Sequence, residues 1–183
     1  MSEKRDFKVV GKSVAKLDAL AMACGREQYT ADFDTRGALV GYAVPSPHAH
    51  ARIQRIDATR ARAIPGVHAV LTWKDLPRNI HTTAGQGHVE PSPYDSYVLD
   101  EKVRFVGDRV ALIAADTRAI AEEAGRALDV EWEVLDPVLD PGHAMDAGAP
   151  VIHDEPEAHA VIPVPYEPKR NMAASAEMGA GDL

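Results

Sequence analysis

The chain has little cysteine, no long apolar run and no surplus of positive charge, and each shortage removes a class of explanation. A single cysteine, Cys24, excludes an internal disulfide and cannot hold an iron–sulfur cluster alone, since such clusters normally take four thiolates. The role left to it is that of a small buried apolar side chain. No segment approaches the roughly 20 consecutive apolar residues of a membrane span, and Met1 to Asp6 is polar, without the apolar core of a secretion signal. The cytoplasm is therefore the expected compartment. The formal charge of -8 argues against nucleic acid or an anionic membrane as partner, because binding of phosphates draws on clustered Lys and Arg.

What remains is 183 residues, 45% hydrophobic and 26% charged, enough for one sizeable core and too few for two. The residues Leu39 to Val44 have strand character, and Pro45-Ser46-Pro47 ends the run because proline cannot donate to a ladder. Ala51 to Asp57 is extended. Asp57 can then cap a short helix, Ala58 to Ile64, which Pro65-Gly66 stops, and Val67 to Thr72 forms the next strand.

The same logic recurs later in the chain. Arg109 to Ala115 is nearly all apolar, as in a strand covered on both faces. Thr117 opens a helix whose Ile120, Ala121, Ala124 and Leu128 share one face. Val130, Trp132 and Val134 then alternate with Glu131 and Glu133, which predicts a half-exposed strand with those three on its buried side. The expected class is α/β (α+β), a small mixed sheet with two crossover helices.

Between the two units, residues 77–98 form a connection too long to be ordinary. After Pro137 the chain is rich in Pro, Gly, Asp and His, with a short helix possible near His143 to Asp146. From Pro156 to Leu183 it loses periodicity and reads as an exposed arm.

The polar motifs are weak. His48 and His50, two apart, would share one face of a strand, yet no third ligand stands at a telling spacing, and a turn leading into a strand explains them better. Gly85-Gln86-Gly87-His88 has the glycines of a phosphate loop but lacks the Lys-Ser/Thr of a P-loop, so a plain turn is favoured. Glu122 and Glu123 lie opposite the apolar stripe of their helix and read as a solvated face.

Several segments in order carry a resemblance. They are Val10-Gly11-Lys12-Ser13-Val14 and Tyr29-Thr30-Ala31-Asp32, then Ser46-Pro47-His48-Ala49-His50-Ala51-Arg52-Ile53, Pro65-Gly66-Val67 and Lys102-Val103-Arg104-Phe105-Val106-Gly107. Ala121-Glu122-Glu123-Ala124, Val130 to Leu135 and Ala149-Pro150-Val151-Ile152-His153 continue it. Over roughly residues 8 to 155 the chain resembles the molybdenum-binding subunit of the xanthine dehydrogenase and aldehyde oxidase family, at its N-terminal hammerhead domain.

The resemblance implies a lead-in segment over residues 1–35, a hammerhead domain over 36–155 and a linker arm over 156–183 toward molybdenum-binding domains. It implies an assembled enzyme that puts water-derived oxygen into a C–H bond of an aldehyde or an N-heterocycle such as a purine. That enzyme would carry molybdopterin with molybdenum and iron–sulfur clusters, with FAD a further candidate. The partners implied are the molybdenum-binding domains and an iron–sulfur subunit or domain.

This chain's own share would be structural, with no catalytic, cofactor or metal residue. The family's Gly-Gln-Gly motif belongs to later domains, so Gly85-Gln86-Gly87 is not given that role. One loop, about Pro91, Ser92, Pro93 and Tyr94, would line the substrate funnel. The alternative is a separately encoded, non-catalytic assembly or binding subunit of such an enzyme. Pro45 departs from the pattern, standing where the family often has an arginine.

Overall fold

The computed structural model describes residues 7–85, 92–177 and 179–181, in two units, Met1–Ala38 and Leu39–Leu183. The first holds a short helix, α1 (Ala19–Ala23), and a 3-10 turn, Thr30–Asp32, in which the Tyr29 N–H donates to Asp32 Oδ2 at 2.8 Å. None of residues 7–38 is buried. Cys24 is accordingly exposed, against the expectation of burial, because the described residues of its unit form no core to receive it.

The second unit contains β1 (Val40–Pro45), β2 (Ala51–Asp57), α2 (Thr59–Arg62), β3 (Val67–Leu71), β4 (Lys102–Val103), β5 (Arg109–Ala115), α3 (Arg118–Arg126) and β6 (Asp129–Val134). The α/β class holds, with one difference. The strands form two three-stranded sheets, in the orders β1-β5-β3 and β4-β2-β6, and every pairing is antiparallel. Each crossover helix carries the chain from one sheet to the other: α2 joins β2 to β3, and α3 joins β5 to β6.

Local chemistry sets the helix ends. The Thr117 side chain accepts from Ile120 N–H and caps α3. Asp57 accepts from Thr59 N–H at 2.8 Å, one residue ahead of the cap position. Gly66, which follows α2, has φ +86°, and a Cβ there would come within 2.9 Å of Asp116 Oδ2 and Ile120 Cδ1. Only glycine turns the chain there without strain.

Ala58, Ala61, Val70, Ile113, Ala115, Ala121 and Ala124 form the core between α2, α3 and the first sheet. Their small size lets the helices lie close: a Cβ on Gly125 would already stand 3.1 Å from the Tyr42 ring. Ala51, Ile53, Val103 and Val110 make a second cluster, and Val44 packs against both.

Two expectations about strand faces change. Both helices pack on one face of the first sheet, so Leu112 and Ala114 of β5 are only half-buried and, with Gly41, Ala43, Ala69 and Leu71, line an open apolar face. Val134 is 63% exposed rather than core, because it ends an edge strand beyond Trp132. No helix among the described residues is long and apolar enough to cross a membrane.

Candidate functional site

The stretch from Ser92 to Glu101 lacks a regular element of its own and is clamped from several sides. His81 and Ser96 exchange backbone hydrogen bonds of 2.8 and 3.1 Å. Tyr94 and His159 do the same at 2.9 and 3.1 Å, and their rings stack with centroids 5.4 Å apart. Ser92 Oγ accepts from Thr82 Oγ1 at 2.8 Å, Pro93 is buried and Tyr94 half-buried. The Tyr97 ring is buried under the Arg78 guanidinium, 4.1 Å from its centroid, a cation–π arrangement. Pro91 and Gln86 to His88 lie outside the described residues.

Behind this loop is a set of buried charges that the sequence reading did not find. The side chains of Arg104, Asp100, Glu155 and Lys102 are 9%, 6%, 3% and 3% exposed. Arg104 pairs with Asp100 at 2.8 Å and with Glu155, and its remaining terminal nitrogen donates to Lys102 O at 3.0 Å. Arg78 also binds Asp100. Lys102 Nζ donates to Ile152 O and Asp154 Oδ1, both at 2.7 Å, while Arg52 meets Asp154 at 3.0 Å.

Burial would raise the pKa of Glu155, but His153 and the Arg104 guanidinium outweigh it and hold the carboxyl at about 2. Asp154 is likewise held low, its desolvation exceeded by Lys102. Ions this far from water persist only when paired this fully. No sequence signal could have found the set, because Arg104 and Glu155 stand 51 residues apart in segments without periodicity.

The arm after Pro156 is tied to the same region. Asn171, with φ 55°, accepts from Ile152 N–H and donates to the carbonyls of Ala144 and Pro150, at 2.8–2.9 Å. Asparagine tolerates this left-handed conformation better than most residues.

The remaining polar candidates have structural partners. His50 is buried, with Nδ1 2.7 Å from Asp136 O, and His48 packs edge-on against Trp132. Glu122 pairs with Arg118 on the exposed side of α3. Among the described residues no three His, Cys, Asp or Glu side chains are grouped to hold a metal ion, and in the loop the Ser96 hydroxyl donates to the Asp95 carboxylate at 3.1 Å.

Three cavities surround the loop, all touching Arg104 and each lined by carboxylates: Asp95 in the first, Asp95, Asp100 and Asp108 in the second, and Asp100, Glu101, Asp154 and Glu155 in the third. The arrangement can hold a loop rigidly and present Tyr94. Of the cationic side chains lining these cavities, Arg52, Arg78, Lys102 and Arg104 are paired with carboxylates and Arg109 donates to Tyr97 O at 3.2 Å.

Comparison with known proteins identifies the family to which the chain belongs. The family model for the aldehyde oxidase and xanthine dehydrogenase a/b hammerhead domain matches residues 24–136. The probable hypoxanthine oxidase of Escherichia coli is 38% identical over an alignment covering 97% of this chain and 21% of that protein. The carbon monoxide dehydrogenase large chain of Afipia carboxidovorans is 37% identical, over 76% of this chain and 17% of its own length. Among solved structures, the Cu,Mo-CO dehydrogenase in its carbon monoxide reduced state superposes with a TM-score of 0.61 at 34% identity, covering 79% of this chain and 18% of that one. The aldehyde oxidoreductase from Desulfovibrio gigas gives 0.59 at 32% identity, covering 75% and 16%. The chain thus spans about a fifth of the length of these two curated relatives.

Proposed function

Because this chain belongs to the aldehyde oxidase and xanthine dehydrogenase family through its a/b hammerhead domain, we propose that it serves as the structural and funnel-lining domain of a molybdopterin-dependent hydroxylase. The assembled enzyme would oxidise an aldehyde or N-heterocycle at a C–H bond with oxygen from water. Its molybdenum-binding domains and an iron–sulfur subunit or domain would be this chain's partners. Residues 36–155 form the hammerhead domain in this reading, and 156–183 the arm toward the molybdenum-binding domains.

One observation carries the proposal: the family match lies over residues 24–136 and so includes the clamped loop and the sheets that support it. The residues described here do not fit the pterin cofactor itself. Its phosphate would meet carboxylates in all three cavities, while Arg104 is committed to Asp100 and Glu155. In this reading the molybdenum site would lie in other parts of the enzyme. This chain contributes Pro91 to Tyr94 to the funnel, with Tyr94 presenting a ring for a planar substrate.

In an assembled enzyme containing this chain, Tyr94→Ala should lower kcat/KM by about 1 kcal/mol or somewhat more, the scale of an aromatic contact. Molybdenum content should stay unchanged. Normal kinetics would remove the loop from the funnel. One molybdenum per copy of the isolated chain, measured by elemental analysis, would contradict the structural role.

A further inference from the structure

The first cavity has a volume of about 320 Å³, at the lower end of the roughly 300–1,000 Å³ typical of small-molecule sites. Leu139, Ile152 and Met172 supply apolar wall, and Asp95, His153 and Tyr166 supply polar groups. The Tyr166 hydroxyl is buried and has no hydrogen-bond partner among the described residues, although buried hydroxyls normally find one. Asp95 has no Lys or Arg nitrogen within 4 Å among the described residues. The nearest nitrogen that can carry charge is His153 Nδ1, at 3.8 Å. Arg104 reaches the wall but spends its donors on Asp100, Glu155 and Lys102 O.

We infer that this cavity is a binding site for a small organic cation, an alkyl- or arylammonium. Its N–H donors would meet the Asp95 carboxylate and the Tyr166 oxygen, and its apolar part would lie against Leu139, Ile152 and Met172. An ammonium has three donors and no acceptor, which answers a pocket with acceptors to spare. An anion would face Asp95 with no uncommitted cation to balance it, and a neutral apolar guest would leave the phenol without a partner and the Asp95 charge, which accepts from Ser96 Oγ at 3.1 Å, without a counter-ion. The field has the right sign: burial, then Asp95 and Glu155, push the Tyr166 phenol up to about 12, so it stays neutral and able to accept. The inference does not rest on the funnel assignment, since none of Ser92, Pro93 and Tyr94 lines this cavity.

Calorimetric titration of the full chain at neutral pH with benzylammonium, benzyl alcohol and benzoate tests it. Benzylammonium should bind at least about tenfold more tightly than benzyl alcohol, the ratio expected of one charge-assisted hydrogen bond, and benzoate should give no heat. Asp95→Asn and Tyr166→Phe should each weaken benzylammonium binding, the first by about tenfold or more. Leu139→Trp covers the case in which those variants fail to fold. Leu139 is 79% exposed at the rim, so the larger ring should block binding and leave the thermal midpoint in place. The inference is overturned if benzylammonium does not bind at millimolar concentration, if all three probes bind alike, or if binding survives both Asp95→Asn and Leu139→Trp.

Discussion

Where α2 and α3 cover the first sheet, the buried groups are Ala58, Ala61, Val70, Ile113, Ala115, Ala121 and Ala124. On the flank around β4, beside the apolar Leu99 and Val103, the charged side chains of Asp100, Lys102, Arg104 and Glu155 are buried as well. The first region is held by apolar area and close fit, which depend on no partner in particular. The second is held by pairs, so its stability resides in the matching of charges and drops sharply when one member is lost. The paired flank carries the Ser92–Tyr97 loop. The difference assigns the sheets and helices to the scaffold and the ion network to the placing of that loop.

The largest effect should come from the paired flank. Arg104→Ala leaves Asp100 without one partner and Glu155 facing only His153, and should cost about 3–5 kcal/mol in urea unfolding, the usual penalty for breaking a buried ion pair. A loss near that of an exposed pair would erase the contrast between the regions. Ile113→Ala, in the apolar region, should cost about 3 kcal/mol through lost transfer energy and the cavity left behind. Gly66→Ala should cost about 2 kcal/mol, from the strained φ and the collision with Asp116 and Ile120, and equal stability would show that the α2–β3 turn can relax.

Acid sharpens the comparison further. Glu155 is held at about 2 in the folded chain against an ordinary 4.5, so the stability it contributes is present above about pH 4.5 and is lost as pH falls toward 2. Asp154, also depressed, acts in the same direction. The pH slope over that window should shrink in Glu155→Gln and persist in Ile113→Ala. At the small end, Arg55 bridges Asp129 and Glu131 at 2.8 Å on the exposed face of the second sheet. Arg55→Ala should leave the melting curve nearly unmoved, and any difference should vanish in high salt.

The two regions also differ in how far the sequence reveals them. Ala51 to Asp57 and Arg109 to Ala115 could be read residue for residue, and Thr117 announced α3, because strand and helix periods are local and caps act over three residues. That β5 has one open face could not be read, since its run of apolar residues is alike in both settings. Strand β4, two residues long, has no period to detect. The Arg104–Glu155 pair, the Tyr94–His159 bridge and the three hydrogen bonds of Asn171 join segments far apart in the chain. The funnel role proposed for Pro91 to Tyr94 rests on family resemblance, and composition alone leaves that segment a long connection between two crossover units.

The central claim, that buried charge pairs place the loop while the apolar core holds the scaffold, is tested most directly by amide hydrogen exchange in Glu155→Gln. Exchange should quicken at Tyr94 and Ser96, whose N–H groups bond His159 O and His81 O, and should stay slow at Leu112 and Ile113 in β5. Uniform acceleration across both regions, or unchanged protection at Tyr94 and Ser96, would contradict it.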